Sequence, residues 1–383
     1  MLARRHIALT PRRGPPHIPE PMSVRSVLSA ASFGVALLSS VLPTYARAQA
    51  VEPRTPVEGT ELGGRVHLQW NTTSADGAHG SEFMMRRARI WAATRVNDWI
   101  DGAVQVDVSG ATAVARYAFV RLSFSPTARV SFGQFKRAFD VFQLTSSADV
   151  LVVERDGNVR SAFECAGVGG VCSFTRFSEK LQFSSLDVGM LLQGEMTNGT
   201  VGWLVSVTNG AGMNAREENG AKSFSGRLEW LAREKVRLSA NAGFHDFSNE
   251  VTGRDEHAPA LGADVEVGDF AEGLHLQAGV LTGENWLNLD ADGNASRFVT
   301  WQAIATWRIP LERKGRVGAV EPVARVSWGD PDRDAGSDGG LLVTPGLVLH
   351  FQGKNKFGVN LDAWRPQEGE AVWGLKAQTY LYF

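Results

Sequence analysis

The chain closes on Ala371-Val-Trp-Gly-Leu-Lys-Ala-Gln-Thr-Tyr-Leu-Tyr-Phe383. Ala371, Trp373, Leu375, Ala377, Leu381 and Phe383 share one parity; Lys376 and Gln378 share the other, with Gly374 between. Successive side chains of a strand point to opposite faces, so this alternation suits a strand with one face on an apolar phase and the other on water. The last strand of a soluble β-sandwich would read the same way, so the segment alone leaves two architectures open.

The same period recurs upstream. Val236, Leu238, Ala240, Ala242 and Phe244 interleave with Arg237, Ser239, Asn241, Gly243 and His245. Phe357, Val359, Leu361 and Ala363 interleave with Gly358, Asn360 and Asp362. Few segments carry apolar residues at helical spacing, which argues against all-helical and α/β folds. Strands are expected near 62–71, 83–96, 99–109, 114–125, 128–136, 185–196, 201–209 and 222–231, then near 235–246, 259–268, 273–284, 297–309, 317–328, 340–351, 356–365 and 371–383. Most are long enough to cross a bilayer at a tilt. An even number of strands returns both ends of the chain to one side, as a closed barrel requires.

The connections test this independently. Even-to-odd links are short, such as Pro126-Thr127, Asn198-Gly199 and Arg233-Glu234, whereas odd-to-even links include 137–184 and 210–221. A sandwich has no reason to show that asymmetry. A membrane barrel has short turns on one side and long loops on the other. The expectation is a closed antiparallel 16-stranded transmembrane β-barrel over residues 62–383, with 137–184 folded into the pore and 51–61 as a short periplasmic lead-in. A barrel of this size leaves an aqueous channel.

The first fifty residues read as an address. Arg25 precedes the small-residue apolar run Val27 to Leu42, and Ala48-Gln49-Ala50 has the small-x-small form of a signal-peptidase site, which predicts cleavage after Ala50 and leaves Met22 as a possible start. Residues 1–50 hold six basic side chains (Arg4, Arg5, Arg12, Arg13, Arg25, Arg47) and one acidic (Glu20), so of 39 basic and 41 acidic the remainder keeps 33 and 40, a net charge of −7. That balance argues against a nucleic-acid binder. Gly at 41 residues and Trp at 11 suit tight turns and interfacial girdles.

The polar parity would line the lumen. It puts Arg65, His67, Arg87, Arg89, Arg95, Arg121 and Arg129 on the first five strands, with only Asp101 and Asp107 as acids among them. The later wall is mixed, with Arg227, Arg237, Arg308, Arg325 and Lys376 against Asp187, Glu195, Glu229, Asp264, Glu266, Glu321 and Asp362. The expected result is a lumen with a basic and an acidic side. The segment 137–184 is too long for an ordinary hairpin loop. It carries Arg137, Arg155, Arg160, Arg176 and Lys180 beside Asp140, Asp149, Glu154, Asp156, Glu164 and Glu179, and either narrows the pore with an inward arginine cluster or lies outside as a salt-bridged surface loop. Cys165 and Cys172 flank a Gly-rich hexapeptide within it, and two nearby cysteines in an exported chain point to a structural disulfide.

Three segments carry a family resemblance: Phe83-Met-Met-Arg-Arg-Ala-Arg-Ile90, Phe132-Gly-Gln-Phe-Lys-Arg-Ala-Phe139 and Glu154-Arg-Asp-Gly-Asn-Val-Arg-Ser-Ala-Phe163. In order and spacing they resemble the phosphate-selective porin O/P family. That resemblance implies a homotrimeric outer-membrane channel of a Gram-negative bacterium, embedded in outer-membrane lipids, with a basic constriction passing phosphate or polyphosphate. It makes Arg87, Arg89, Lys136, Arg137, Arg155 and Arg160 the candidates for the anion path, with Arg121 beside them. The aromatic terminus Phe383 resembles the signal read by the barrel-assembly machinery. The chain departs from the family in carrying Ala138 where members often have Pro, and in outer loops where Arg216 and Arg254 are followed by acids.

No P-loop, H-E-x-x-H or convincing G-x-S-x-G occurs, so no cofactor and no catalysis are expected. Asp290-Ala-Asp292-Gly293-Asn294 lacks the following Glu of a calcium loop and reads as a turn. The alternatives left open are a general diffusion porin without anion preference and a β-barrel surface enzyme.

Overall fold

The computed structural model describes residues 57–75, 80–159, 162, 165–311 and 315–383; the address segment 1–50 and Arg160 lie outside them. Sixteen strands run in order: β1 (Gly59–Thr73), β2 (Ser81–Arg95), β3 (Ile100–Asp107), β4 (Val114–Ser125), β5 (Ala128–Lys136), β6 (Leu186–Met196), β7 (Val201–Thr208) and β8 (Ser223–Arg233). They continue as β9 (Val236–Asn249), β10 (Arg254–Gly268), β11 (Gly273–Leu289), β12 (Ala295–Pro310), β13 (Ala319–Asp330), β14 (Gly340–His350), β15 (Lys356–Pro366) and β16 (Val372–Tyr382). Each pairs antiparallel with its sequence neighbours, and β1 pairs with β16 to close the barrel. The seam continues one residue further: Gly64 N donates to Phe383 O at 2.8 Å and Phe383 N to Gly64 O at 3.1 Å.

The outer surface is what the alternation predicts. Phe83 is 87% and Leu62 74% exposed, with Val120, Leu228, Leu261 and Val280 exposed between them. Apolar surface on this scale suits lipid rather than water. Exposed aromatics gather toward both rims: Trp99, Phe124, Trp230, Trp307 and Phe383 toward the short turns, and Phe83, Phe224, Phe244 and Trp373 toward the long loops. Such belts sit at membrane–water interfaces.

The β9–β10 and β11–β12 hairpins run further than the alternation indicates. Asp255, Glu256 and His257 pair with Ser248, Phe247 and Asp246, so the expected loop 247–258 is mostly strand. A hairpin continuing beyond the lipid needs no apolar parity, and period two carries no signal there.

The connection from β5 to β6 folds into the barrel. It holds two short helices, α1 (Val141–Leu144) and α2 (Phe174–Lys180). Its apolar side chains, among them Phe139, Phe142, Val152, Phe174, Phe177, Leu181 and Phe183, form one buried cluster with inward residues of the later strands, including Ala260, Leu281, Phe298, Ile304, Leu342 and Trp364. Phe177 stacks on Phe298 with ring centroids 5.0 Å apart. The later half of the barrel is therefore filled with a dry core, and the expectation of a wholly polar inward parity is corrected there. Phe298, Ile304, Leu342 and Trp364 are on that parity because the loop covers them.

Candidate functional site

What the loop leaves open is a cavity of about 800 Å³ against the early strands. Nine basic side chains line it (Arg65, Arg86, Arg87, Arg89, Arg116, Lys136, Arg155, Arg176, Lys180) against four acidic ones (Asp107, Glu154, Asp156, Glu179). The strands supply the first six cations and the loop the last three.

Two of the strand cations arrive through β-bulges. His67 pairs with Arg87 and Leu68 with Met85, so Arg86 is an extra residue on β2. Gln105 pairs with Tyr117 and Val106 with Ala115, so Arg116 is an extra residue on β4. A bulge inserts a residue and re-aims side chains. Strict alternation puts Arg86 and Arg116 on the lipid face; the bulges bring them inward. Arg65 also stands directly opposite Arg89 across the β1–β2 pair. Like charges facing across strands cost stability, so the fold does not explain them. Gly133, in the Gly-Gln-Phe-Lys stretch of β5, has φ of +128°, and a Cβ there would lie 2.1 Å from the Ala118 carbonyl oxygen. Only glycine allows that approach of β5 to β4.

The cations divide by partner. Glu154 accepts from Arg86 Nε and Nη2 at 2.8 and 2.9 Å and from Arg87 Nη1 and Nη2 at 3.3 and 3.2 Å. Burial would raise the Glu154 carboxyl, but Arg87 and Arg86 outweigh it and hold it at about 2. Arg89 Nε donates to Asp107 Oδ2 at 2.6 Å and its Nη1 to Ser147 at 3.3 Å. Five cations have no carboxylate within ion-pair distance among the described residues: Arg65, Arg116, Lys136, Arg155 and the exposed Lys180. Arg65 reaches Gln105 Oε1 at 3.3 Å, and its Nε and Nη1 have no protein partner. Arg116 touches Met213 Sδ at 3.3 Å, and its Nε has no protein partner. Lys136 donates to the Gln143 and Thr145 carbonyls. Arg155 donates to the Phe142 carbonyl at 3.0 Å and to that of Thr145. Burial first and the charge of Arg87 second push Arg155 down to about 10, so it stays protonated at neutral pH.

Of the residues singled out by sequence, Arg87, Arg89, Lys136 and Arg155 converge on this cavity. Arg121 does not line it; it pairs with Asp101 at 2.8 Å, closer to the short-turn end. Arg137 is sealed away from it, donating to Asp187 at 2.6 Å and to the Gln182 carbonyl. Cys165 and Cys172 are joined by a disulfide in the loop. Much of the acidic side of the lumen is paired with cations, Asp264 with Arg227, Asp362 with Arg325 and Lys376, and Glu195 with Arg129, while Glu266 and Glu321 each share a hydrogen bond with a histidine, His275 and His350.

Two of these later-wall arginines also hold the loop. Arg325 Nη1 donates to the carbonyls of Glu154 and Arg155 at 2.9 and 2.8 Å. Arg227 Nη1 donates to the Phe139 carbonyl at 2.9 Å.

Residues 61–245 match the family model described as phosphate-selective porin O and P. No curated protein matches the chain. Among solved structures, the outer membrane channel DcaP of Acinetobacter baumannii superposes with a TM-score of 0.59 at 13% identity, covering 84% of this chain and 97% of that one. A loop L8 deletion mutant of OmpT, an outer membrane protein of Vibrio cholerae, gives 0.56 at 13% identity over 84% and 99%. Salmonella typhi OmpF in complex with daunomycin gives 0.53 at 12% identity over 85% and 97%. At these identities the likeness is one of fold. The family match spans the bulged arginine strand, the Gly-Gln-Phe-Lys strand and the infolded loop, just under half of the chain, and it supports assigning the chain to the phosphate-selective porin O and P family, as an outer-membrane diffusion channel of a Gram-negative bacterium.

Proposed function

We propose that the channel passes small anions of the phosphate type in preference to cations. The observation that carries this is the set Arg65, Arg116, Lys136 and Arg155, which line the cavity with no carboxylate partner among the described residues. A guanidinium or ammonium whose hydrogens are not spent on a carboxylate lowers the barrier for a passing anion and raises it for a cation. The effect exceeds that in bulk water because little solvent screens the charges there. The net −7 of residues 51–383 does not by itself oppose it, since permeation reads the local field and charges more than a Debye length away are largely screened at moderate salt. The test is the reversal potential of the reconstituted protein in a KCl gradient, repeated with added phosphate. A potential on the chloride side and a chloride current blocked by phosphate support the reading. A potential near zero makes the protein a general diffusion porin.

The same reading takes residues 1–50 as a signal segment and the assembled protein as a homotrimer inserted through the Phe383 terminus. Deleting Phe383 then reduces outer-membrane assembly, read as loss of heat-modifiable gel mobility; unchanged assembly refutes that role.

A further inference from the structure

Glu154 is unusual among the cavity's acids. Its carboxylate accepts from both nitrogens of the Arg86 edge and from both Nη atoms of Arg87, so one carboxylate occupies two guanidinium forks. That arrangement is the one that binds a free oxyanion. Arg86 keeps 40% of its side chain exposed, so solvent-borne ions reach it.

The carboxylate is delivered from the opposite wall. Val153 N donates to Asn360 Oδ1 at 2.5 Å, and Arg325 Nη1 holds the Glu154 and Arg155 carbonyls at 2.9 and 2.8 Å. Asn360 lies on β15 and Arg325 on β13, so the backbone at 153–155 is anchored independently of the two arginines it faces. The side chain alone is free to leave them. Space exists for it: Arg86, Glu154 and Asp156 line both the 800 Å³ cavity and a second one of about 340 Å³, whose wall carries Gln69, Asn71, Asn158 and Lys376.

We propose that Arg86 and Arg87 form an oxyanion seat in which Glu154 is a tethered competitor, displaced by a phosphate or carboxylate group in transit and returning when it leaves. The inference rests on the anion reading above and deepens it. A channel needs sites that bind well enough to admit a solute and weakly enough to release it. A double-fork arginine site without a competitor would retain a dianion. Glu154 supplies an intramolecular anion that speeds release and keeps the seat filled when no solute is present.

The test uses the full reconstituted channel and two probes, inorganic phosphate and acetate, each titrated as a blocker of chloride current. Glu154→Gln removes the competitor's charge while keeping its shape and the backbone anchors. The half-blocking phosphate concentration is expected to fall about tenfold, the loss of one charge-assisted interaction, and the phosphate dwell time to lengthen. Acetate, which fills one fork where phosphate fills two, shifts less; equal shifts mean that the seat reads charge and not oxyanion geometry. Asp156→Asn is the control. It removes the same charge from the same two cavities but bonds Arg176, at 3.4 Å, and not the Arg86–Arg87 pair.

If Glu154→Gln and Asp156→Asn tighten phosphate equally, the effect is general charge and the proposal fails. If Glu154→Gln leaves the half-blocking concentration unchanged, it also fails. Arg86→Gln in the Glu154→Gln background must abolish the gain; persistence of the gain overturns the seat even if the loop has shifted. A wild-type channel with no anion preference would refute the underlying reading separately, before any variant is made.

Discussion

Arg116 on β4 and Arg325 on β13 are both inward arginines of the barrel wall, and their surroundings differ in every respect that matters. Arg325 is fully buried, donates to Asp362 at 2.6 Å and to Thr344, and holds two loop carbonyls. Arg116 lines an open cavity and touches only a thioether sulfur among the described residues. The first has every strong acceptor it can use and acts as a fastening. The second keeps unsatisfied donors beside the solute path and acts as a field. The later wall is thus a place where charge is cancelled to hold a loop, and the early wall one where charge is left uncancelled. Net charge per wall does not show this difference; the partners do.

The largest effect is expected from breaking the fastening. Asp362→Ala leaves Arg325 and Lys376 buried without their shared carboxylate, and removing one partner of a buried pair costs about 3–5 kcal/mol. The loop anchored through Arg325 loosens, so single-channel conductance rises and anion preference falls together, and the heat-modified gel transition moves to lower temperature. If conductance and transition both stay at wild-type values, Arg325 is not a fastening and the contrast between the walls collapses.

A smaller, separable effect is expected on the early wall. Arg116→Gln lowers the anion-to-cation permeability ratio by about fivefold, the equivalent of roughly 1 kcal/mol for one charge at close range in a wet site. Stability stays within about 0.5 kcal/mol, because no ion pair is broken. Arg121→Gln, on the same strand but paired with Asp101 and outside the cavity, leaves the ratio nearly unchanged. Equal shifts for the two variants, read from reversal potentials, would mean that the whole early wall acts as one diffuse charge.

The sequence made this contrast half legible. Period-two alternation located all sixteen strands, because a lipid-facing strand cannot hide its apolar parity; it underestimated β10 and β11, whose outer ends leave the lipid. Arg87, Arg89, Lys136 and Arg155 were recoverable as cavity residues from parity and family spacing. Arg86 and Arg116 were not, since each sits on a bulge that shifts the period by one residue, and no local propensity marks a bulge at those points. The filled half of the lumen left a readable trace: Phe298, Ile304, Leu342 and Trp364 on the inward parity match the aromatic run Phe139, Phe142, Phe174, Phe177 and Phe183 in the loop. Apolar residues on a supposedly wet face signal something that covers them. Arg137 shows the reverse limit, because nothing in its neighbourhood along the chain announces Asp187, fifty positions away, as its partner.

A group of acids at the outer edge of the later wall stands outside that pairing, and one of them gives the smallest effect. Asp338, in the connection between β13 and β14, is pushed up to about 6, first by burial and then by the charges of Asp330 and Asp332, and it makes no ion pair among the described residues. The folded protein therefore holds the Asp338 proton more tightly than the unfolded chain, whose carboxyl titrates near the ordinary 3.8. With the folded value raised, this group favours the folded connection at low pH and loses that contribution as pH climbs from about 4 through about 6. Asp338 is half-buried in a connection at the rim, so the effect is confined to local opening. Asp338→Asn removes the titration, so hydrogen exchange of residues 331–339 slows relative to wild type at pH 7.5 and matches it at pH 4. Identical exchange at both pH values would show that the acids here are screened from one another, and that pairing with a cation is not what distinguishes the later wall at its rim.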